Sequence, residues 1–242
     1  MKLGRLKVLG VLGMLAVGAA IGPASASAHP GVTDAVWTVH GHGASASAAI
    51  NVLTLNDQRR IDNRITAYIG SDGRLVLTAP EGLGDPDGSG VNCQVDNATK
   101  PSETSATEVS CAAGYIGAIV GDLAGGSDTF DADPGLTVMV GGVINGQPRP
   151  LSGGPGRDRL VGGALPDLLD GGGRADSLAG GGGTDTLMGG ASGDNLSGGA
   201  ANDLLLGGGG PDKLVGGAGR DLCRGAGGFD TGKSCEQVRS IP

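Results

Sequence analysis

The last third of the chain repeats one pattern of glycine, polar and apolar positions every nine residues. From Gly153 to Lys233 the units read GGPGRDRLV, GGALPDLLD, GGGRADSLA, GGGGTDTLM, GGASGDNLS, GGAANDLLL, GGGGPDKLV, GGAGRDLCR and GAGGFDTGK. All nine open on Gly and carry Asp at the sixth position, and seven carry Leu at the eighth. Because disordered glycine-rich linkers have no reason to keep a phase, this regularity indicates an ordered repeat.

Each unit divides into a turn and a short strand. Paired glycines permit positive φ angles and close backbone approach, and the Asp-x-Leu-x that follows places its sixth and eighth side chains on one side of an extended strand. Two units then make one coil, with a thin layer of stacked leucines between two sheets. At a strand spacing of about 4.8 Å, the array predicts about four and a half coils, or about 20 Å of solenoid.

The spacing of the Asp residues creates a charge problem. Carboxylates of alternate units would stack about 5 Å apart and repel by about 1 kcal/mol per pair even in water. The repeat offers carboxylate and turn carbonyl oxygens, no His and only one Cys. Such hard, flexible oxygen coordination favours Ca²⁺ over Mg²⁺. We therefore expect a solenoid that is loose without calcium and ordered with it.

The units resemble the hemolysin-type calcium-binding nonapeptide repeat, or RTX repeat, with its pattern G-G-x-G-x-D-x-(aliphatic)-x. The resemblance implies an all-β chain, in which a right-handed parallel β-roll follows a β-strand-rich N-terminal region. It also implies that Ca²⁺ ions, at most about seven, lie between neighbouring turns, held by the sixth-position Asp and by turn carbonyls. The implied metal-ligating residues are Asp158, Asp167, Asp176, Asp185, Asp194, Asp203, Asp212, Asp221 and Asp230.

Several units depart from that pattern. The fourth position is not Gly in units two, three, five and six, where we expect strained turns or weak calcium binding: Leu165, Arg174, Ser192 and Ala201. Unit nine has Gly232 in place of the aliphatic residue, so it is expected to cap the array. Three arginines beside the carboxylates are expected to take over some of the neutralisation: Arg157, Arg174 and Arg220.

The first 28 residues have the pattern of an export signal. Lys2, Arg5 and Lys7 precede an apolar run over 8–21, which is shorter than the roughly 20 residues that a membrane-spanning helix needs. Small residues then offer cleavage after Ala26 or Ala28. We therefore predict a signal peptide at 1–28 and a secreted, extracellular protein without stable membrane insertion.

The region 29–150 carries short apolar runs separated by turn residues. It predicts a β-hairpin around Asp72-Gly73, with strands near 65–69 and 75–78, and further strands near 115–120 and 136–144. The segment 125–130 (GGSDTF) resembles a contracted repeat turn, so the coil is expected to begin before Gly153. The predicted domains are thus this β-rich region, the repeats at 151–233 and a C-terminal cap or tail at 234–242.

The four cysteines fit an oxidising compartment. Four thiols allow three pairings, and the sequence does not choose between them. We favour the local disulfides Cys93–Cys111 and Cys223–Cys235, since no C-x-x-C spacing indicates zinc. Cys93 and Cys111 lie 18 residues apart. If the solenoid reached that far, they would stack as neighbours of successive coils.

Charge and composition narrow the function. The chain has 51 Gly and five aromatic residues among 242, which suits a repeat array better than a thick-cored enzyme. Its 17 basic and 25 acidic residues give −8, and removal of the three N-terminal cations leaves 14 against 25, or −11. Such a surface disfavours nucleic acid and anionic lipid, and its natural partners are cations.

The candidate chemistry outside the repeat is sparse. The three histidines His29, His40 and His42 lie near the expected mature N-terminus, with no recognisable catalytic motif. We therefore expect a secreted calcium-binding protein with a structural or surface-interaction role, and not an enzyme. The alternatives are a secreted hydrolase with a catalytic region at 29–150, or a cytolysin; the protein or cell-surface partner is left open.

Overall fold

The computed structural model describes residues 38–40, 51–56, 62–83, 93–95, 106–112, 116–144 and 147–239. These residues contain strands and turns and no helix, so the expected all-β class is confirmed. The strands before the repeat are β1 Thr38–His40, β2 Asn51–Asn56, β3 Arg64–Ile69, β4 Arg74–Leu83, β5 Cys93–Val95, β6 Ala106–Ala112, β7 Ile116–Asp122, β8 Thr129–Ala132, β9 Met139–Val140, β10 Gly142–Ile144 and β11 Gln147–Arg149. Those of the repeat and the C-terminal end are β12 Leu151–Gly154, β13 Arg159–Val161, β14 Leu168–Gly173, β15 Ser177–Gly181, β16 Thr186–Ala191, β17 Asn195–Ala200, β18 Leu204–Gly209, β19 Lys213–Ala218, β20 Leu222–Gly227, β21 Thr231–Lys233 and β22 Gln237–Arg239.

Alternate repeat units feed two sheets. The first sheet has the order β1-β2-β7-β12-β14-β16-β18-β20-β22, and the second has the order β21-β19-β17-β15-β13-β8-β3-β4-β6-β5. Repeat strands pair in parallel with partners 18 residues apart: Leu169 lies opposite Leu187 in the first sheet, and Leu178 opposite Leu196 in the second. The predicted coil of two units is therefore confirmed.

The core of the repeat is the predicted layer of eighth-position side chains. From Leu160 to Leu214 each of these leucines is at most 1% exposed, and Cys223 continues the stack. Burial of a leucine contributes about 2 kcal/mol, so the stack is the main apolar support of the solenoid. The sixth-position Asp lies two residues earlier on the same strand side, so it too points inward.

The parallel solenoid is longer than the nine units predict. It covers about six turns over residues 118–233, because β7 and β8 already pair in parallel with β12 and β13. An excursion explains why the period is lost there. β9 and β12 both pair with β7, and the chain between them forms the antiparallel pair β10–β11. The expectation that the coil begins before Gly153 is confirmed.

The strand-rich N-terminal part joins the solenoid through the second sheet. The predicted hairpin is confirmed: β3 and β4 pair antiparallel around a turn in which Gly73 has φ 76° and its N–H donates to the carbonyl of Gly70. β3 also pairs in parallel with β8, so this hairpin continues the sheet of the coils.

The cysteine prediction is confirmed in one part and wrong in another. Cys223 and Cys235 form a disulfide with Cα atoms 5.9 Å apart. Cys111 is also disulfide-bonded, and the β5–β6 register places Cys93 opposite it. These two strands are antiparallel neighbours, however, so the hypothesis that Cys93 and Cys111 stack on successive coils is wrong.

Several predictions fall outside the described residues. The signal peptide at 1–28, with His29 and His42, lies there, and His40 is described only as the end of β1. Within the described ranges, no helix combines the length and apolar character required to cross a bilayer.

Candidate metal centre

The sixth-position Asp residues form two rows inside the solenoid, one along each sheet. One row contains Asp158, Asp176, Asp194, Asp212 and Asp230, and the other contains Asp167, Asp185, Asp203 and Asp221; all nine are at most 8% exposed. The coil architecture brings these predicted residues together in register, because Asp residues of one row are 18 positions apart.

One carboxylate oxygen of each Asp joins two coils. Oδ1 of Asp185 accepts the backbone N–H of Asp167 at 2.8 Å, and Oδ1 of Asp203 accepts that of Asp185 at 2.9 Å. The same bond recurs along both rows. Hydrogen bonds from N–H groups to a carboxylate are charge-assisted, so they bind each coil to the one before it.

The other carboxylate oxygen is buried without a hydrogen-bond donor. Among the described residues, Oδ2 has no partner in eight of the nine repeat aspartates: Asp158, Asp176, Asp185, Asp194, Asp203, Asp212, Asp221 and Asp230. Asp167 differs, because its Oδ2 accepts the N–H of Gly163 at 2.7 Å. A buried anionic oxygen without a donor is costly, so the rows require a proton or a cation.

The first glycine of each unit leaves the room that its own Asp occupies. A methyl group on Gly180 would overlap Oδ2 of Asp185, and it would lie 2.7 Å from the carbonyl oxygen of Gly198 on the next coil. The same arrangement recurs at Gly171, Gly189 and Gly198. A carboxylate oxygen and a carbonyl oxygen therefore converge beside each of these glycines.

Burial governs the electrostatics of the rows. Desolvation raises the pKa of Asp185 to about 8, although the N–H of Asp167 opposes the shift, and the neighbouring carboxylates of Asp167 and Asp203 add to it. Desolvation likewise raises the pKa of Asp167 and Asp176 to about 7 and that of Asp194 to about 6. It also raises the pKa values of Asp158, Asp203 and Asp212.

The donor set fits calcium and not a soft metal. The carboxylates lie one per coil in rows, and nowhere in the described part of the chain do three His, Cys, Asp or Glu side chains converge on one point. An ion in a row would thus be held by carboxylate oxygens together with carbonyl oxygens of the glycine turns. Ca²⁺ accepts such hard, irregular oxygen sets.

The glycine turns have the expected left-handed backbone. The second glycine has a positive φ in seven units, for example 106° at Gly190. Three of the four fourth-position departures also adopt it: φ is 73° at Arg174, 85° at Ser192 and 79° at Ala201. Since side chains with a Cβ resist this region, the expectation of strained turns is confirmed at these three residues and not at Leu165.

The arginines do not neutralise the rows. Among the described residues, Arg157, Arg174 and Arg220 form no ion pair with a sixth-position Asp, and the ion pair that the structure contains there joins Arg159 to the exposed Asp131 at 3.1 Å. The expectation about these three arginines is therefore wrong. The reason is burial, since the carboxylates point into the solenoid whereas the arginine side chains extend from its turns.

Three residues outside the periodic set extend the rows. Asp128 is 1% exposed and its N–H donates to Oδ1 of Asp158, so it takes the place of a sixth-position Asp. Asn63 lies before it, with its N–H on Oδ1 of Asp128. At the other end, Oε2 of Glu236 accepts the N–H of Asp221 at 2.5 Å. The GGSDTF segment indicated Asp128, whereas no periodic signal marks Asn63 or Glu236.

The comparison with protein families agrees with this geometry. Residues 152–187, 162–196 and 197–231 match the family model described as RTX calcium-binding nonapeptide repeat (4 copies). These repeats bind Ca²⁺, and the family's β-roll is typically non-catalytic. No curated protein and no solved structure matches the chain significantly.

Proposed function

We propose that this chain, which carries RTX calcium-binding nonapeptide repeats over residues 152–231, is a secreted protein whose solenoid folds on calcium and serves a structural or surface-interaction role. The nine repeat aspartates are the proposed ligands, together with carbonyl oxygens of the glycine turns. The single observation that carries the proposal is the buried Oδ2 atom that lacks a donor in eight of these nine residues.

Calcium would supply what the rows lack. Two positive charges between successive coils would neutralise carboxylates that burial otherwise drives towards protonation. The chain's own part is to hold the carboxylates in register: Oδ1 is fixed by the N–H of the preceding coil, and the first glycine leaves room for Oδ2. Metal binding then adds directly to the free energy of folding.

The proposal includes the predicted domain division and export. Repeats of this kind are typical of secreted bacterial proteins, and the segment 1–28 has the expected charge and hydrophobic pattern of a signal peptide. Outside the cell, where calcium is abundant, the solenoid would become ordered. N-terminal sequencing of the exported protein tests this part, with Ser27 or His29 as the expected first residue.

Counting bound ions tests the ligand assignment. We expect Asp185→Asn to lower the calcium stoichiometry of the full chain by one or two ions, as measured by equilibrium dialysis. Asp170→Asn is the matched control, because Asp170 is the one repeat Asp outside the sixth position and is only half-buried. If both variants bind as many ions as the wild type, Asp185 is not a ligand.

A further inference from the structure

The outer faces of the two sheets differ in chemistry although the fold treats them alike. Positions seven and nine of each unit alternate with the buried Asp and Leu, so they point away from the core in both sheets. In the second sheet these positions in units three, five and seven hold small, polar or charged residues and one valine: Ser177, Ala179, Asn195, Ser197, Lys213 and Val215. The repeat therefore does not require large apolar residues there.

The first sheet carries an apolar patch at the same positions. Its residues are Met188, Leu204, Leu206 and Leu222, all partly exposed. Leu204 lies beside Leu222 on the adjacent strand, and Met188 lies beside Leu206, so the four side chains are contiguous. Contiguous apolar surface of this kind marks an interaction site more often than scattered single residues do.

Charges of opposite sign end the ninth-position column. Along the stacked strands β14, β16, β18 and β20, the column reads Asp170, Met188, Leu206 and Arg224, with each residue in register with the next. Beyond Asp170 the column continues to Ser152 and then Asp122. The face is thus acidic towards the N-terminal end of the solenoid, apolar in the middle and basic towards the C-terminal end.

This order is complementary to itself when reversed. We propose that the outer face of the first sheet binds a second copy of the chain about a two-fold axis between Met188 and Leu206. Asp170 of each copy then faces Arg224 of the other, and Met188 faces Leu206. A two-fold interface uses the same surface on both subunits, and a column that reads acid, apolar, apolar, base satisfies that requirement.

The size of the face sets the expected strength. Four strands of about six residues, with a rise of about 3.3 Å and a spacing of about 4.8 Å, make a face of about 300 Å² per copy. A stable complex usually buries about 800 Å² per partner. We therefore expect a weak, reversible dimer whose pairing is set by the charged ends.

Charge reversal tests both the face and its orientation. Sedimentation equilibrium of the full chain in millimolar Ca²⁺, with folding checked by circular dichroism, should show a reversible dimer. Asp170→Arg and Arg224→Asp should each weaken dimerisation about tenfold or more, because each places like charges opposite one another at two symmetric contacts. An equimolar mixture of the two variants should regain the dimer, since every contact then joins an arginine of one variant to an aspartate of the other.

A matched substitution controls for general effects. Leu206→Ser should weaken the dimer, whereas Val215→Ser, at the ninth position of the second sheet, should not. A wild-type chain that stays monomeric while folded would overturn the proposal. So would a dimer that responds equally to Leu206→Ser and Val215→Ser. Single charge variants that fail to recover on mixing would overturn the pairing of Asp170 with Arg224.

Discussion

The backbone N–H of Asn63 donates a 2.8 Å hydrogen bond to Oδ1 of Asp128, although 65 residues separate them. This is the bond that joins successive coils throughout the repeat, and the side-chain amide of Asn63 adds a second one to the same oxygen at 2.9 Å. A neutral Asn thus precedes the first buried Asp of its row. The N-terminal strands and the solenoid share one continuous network at this point.

Loss of the Asp128 carboxylate should uncouple these two parts. We expect Asp128→Ala to lower the free energy of unfolding by about 1–3 kcal/mol, because it removes the oxygen that accepts the buried backbone N–H of Asn63. Asp128→Asn keeps an acceptor oxygen and should cost less. Chemical denaturation measures both, with the exposed Asp131→Ala as control. Equal stabilities for the alanine and asparagine variants would contradict the assigned role.

One glycine triplet separates the two reasons for glycine in the turns. A methyl group on Gly207 would overlap Oδ2 of Asp212, and Gly208 has φ 106° with the carbonyl of Gly190 close by, whereas Gly209 has only that carbonyl oxygen at 3.9 Å. We expect alanine at Gly207 or Gly208 to destabilise by about 2 kcal/mol or more. Alanine at Gly209 should stay within about 1 kcal/mol of the wild type.

Thermal unfolding in saturating calcium gives this comparison directly. The three alanine variants have the same composition and lie in the same turn, so they differ only in local geometry. If Gly209→Ala were as destabilising as Gly207→Ala, close packing against Asp212 would not explain the first glycine of the unit.

The left-handed alanine of unit six should be improvable. Ala201 has φ 79°, a conformation that costs an L-residue about 1–2 kcal/mol, whereas Ala200 lies at the end of β17 without a positive φ. Ala201→Gly should therefore leave stability unchanged or raise it by up to about 1 kcal/mol. Ala200→Gly should lower it by about 0.5–1 kcal/mol. The opposite order in thermal unfolding would show that the turn carries no strain.

Without calcium, the solenoid should be more stable in mild acid than in mild base. The folded-state pKa of Asp185 is about 8 and that of Asp194 about 6, both above the ordinary value of 3.8. A carboxyl with a raised pKa stabilises the fold where it is protonated, so this stability is lost as pH rises through about 6 to 8.

Circular dichroism in chelator between pH 5 and pH 8.5 tests the direction of this change. We expect β-sheet signal to fall as the pH rises, and calcium to restore it at the higher pH because the ion replaces the protons. A chelated protein that is better folded at pH 8.5 than at pH 5 would contradict the buried, donor-free position of these carboxylates.

The periodic part of the fold could be predicted because one spacing encodes both the core and the site. Asp and Leu two residues apart must share a side of a strand, so the leucine stack and the Asp rows follow from the nine-residue phase. What the phase could not give is the role of Oδ1, since its hydrogen bond to the preceding coil depends on an inward side-chain orientation that only the coordinates fix.

The ends of the rows escaped prediction because their spacing differs from that of the repeat. Asp128 lies 30 residues before Asp158 instead of 18, since the excursion through β10 and β11 lengthens that coil. Glu236 follows Asp221 by only 15 residues, and its longer side chain reaches the N–H that a further Asp would have accepted. Cys93 and Cys111 show the reverse error, because their separation matches one coil by coincidence and belongs to antiparallel strands.

Calcium titration of the full chain, followed by circular dichroism and isothermal calorimetry at neutral pH, tests the central claim most directly. The account predicts that β-sheet signal and binding heat rise together from chelator to millimolar Ca²⁺, and that Mg²⁺ at the same concentration produces neither. An unchanged spectrum and no heat across that range would show that the buried aspartates do not bind calcium.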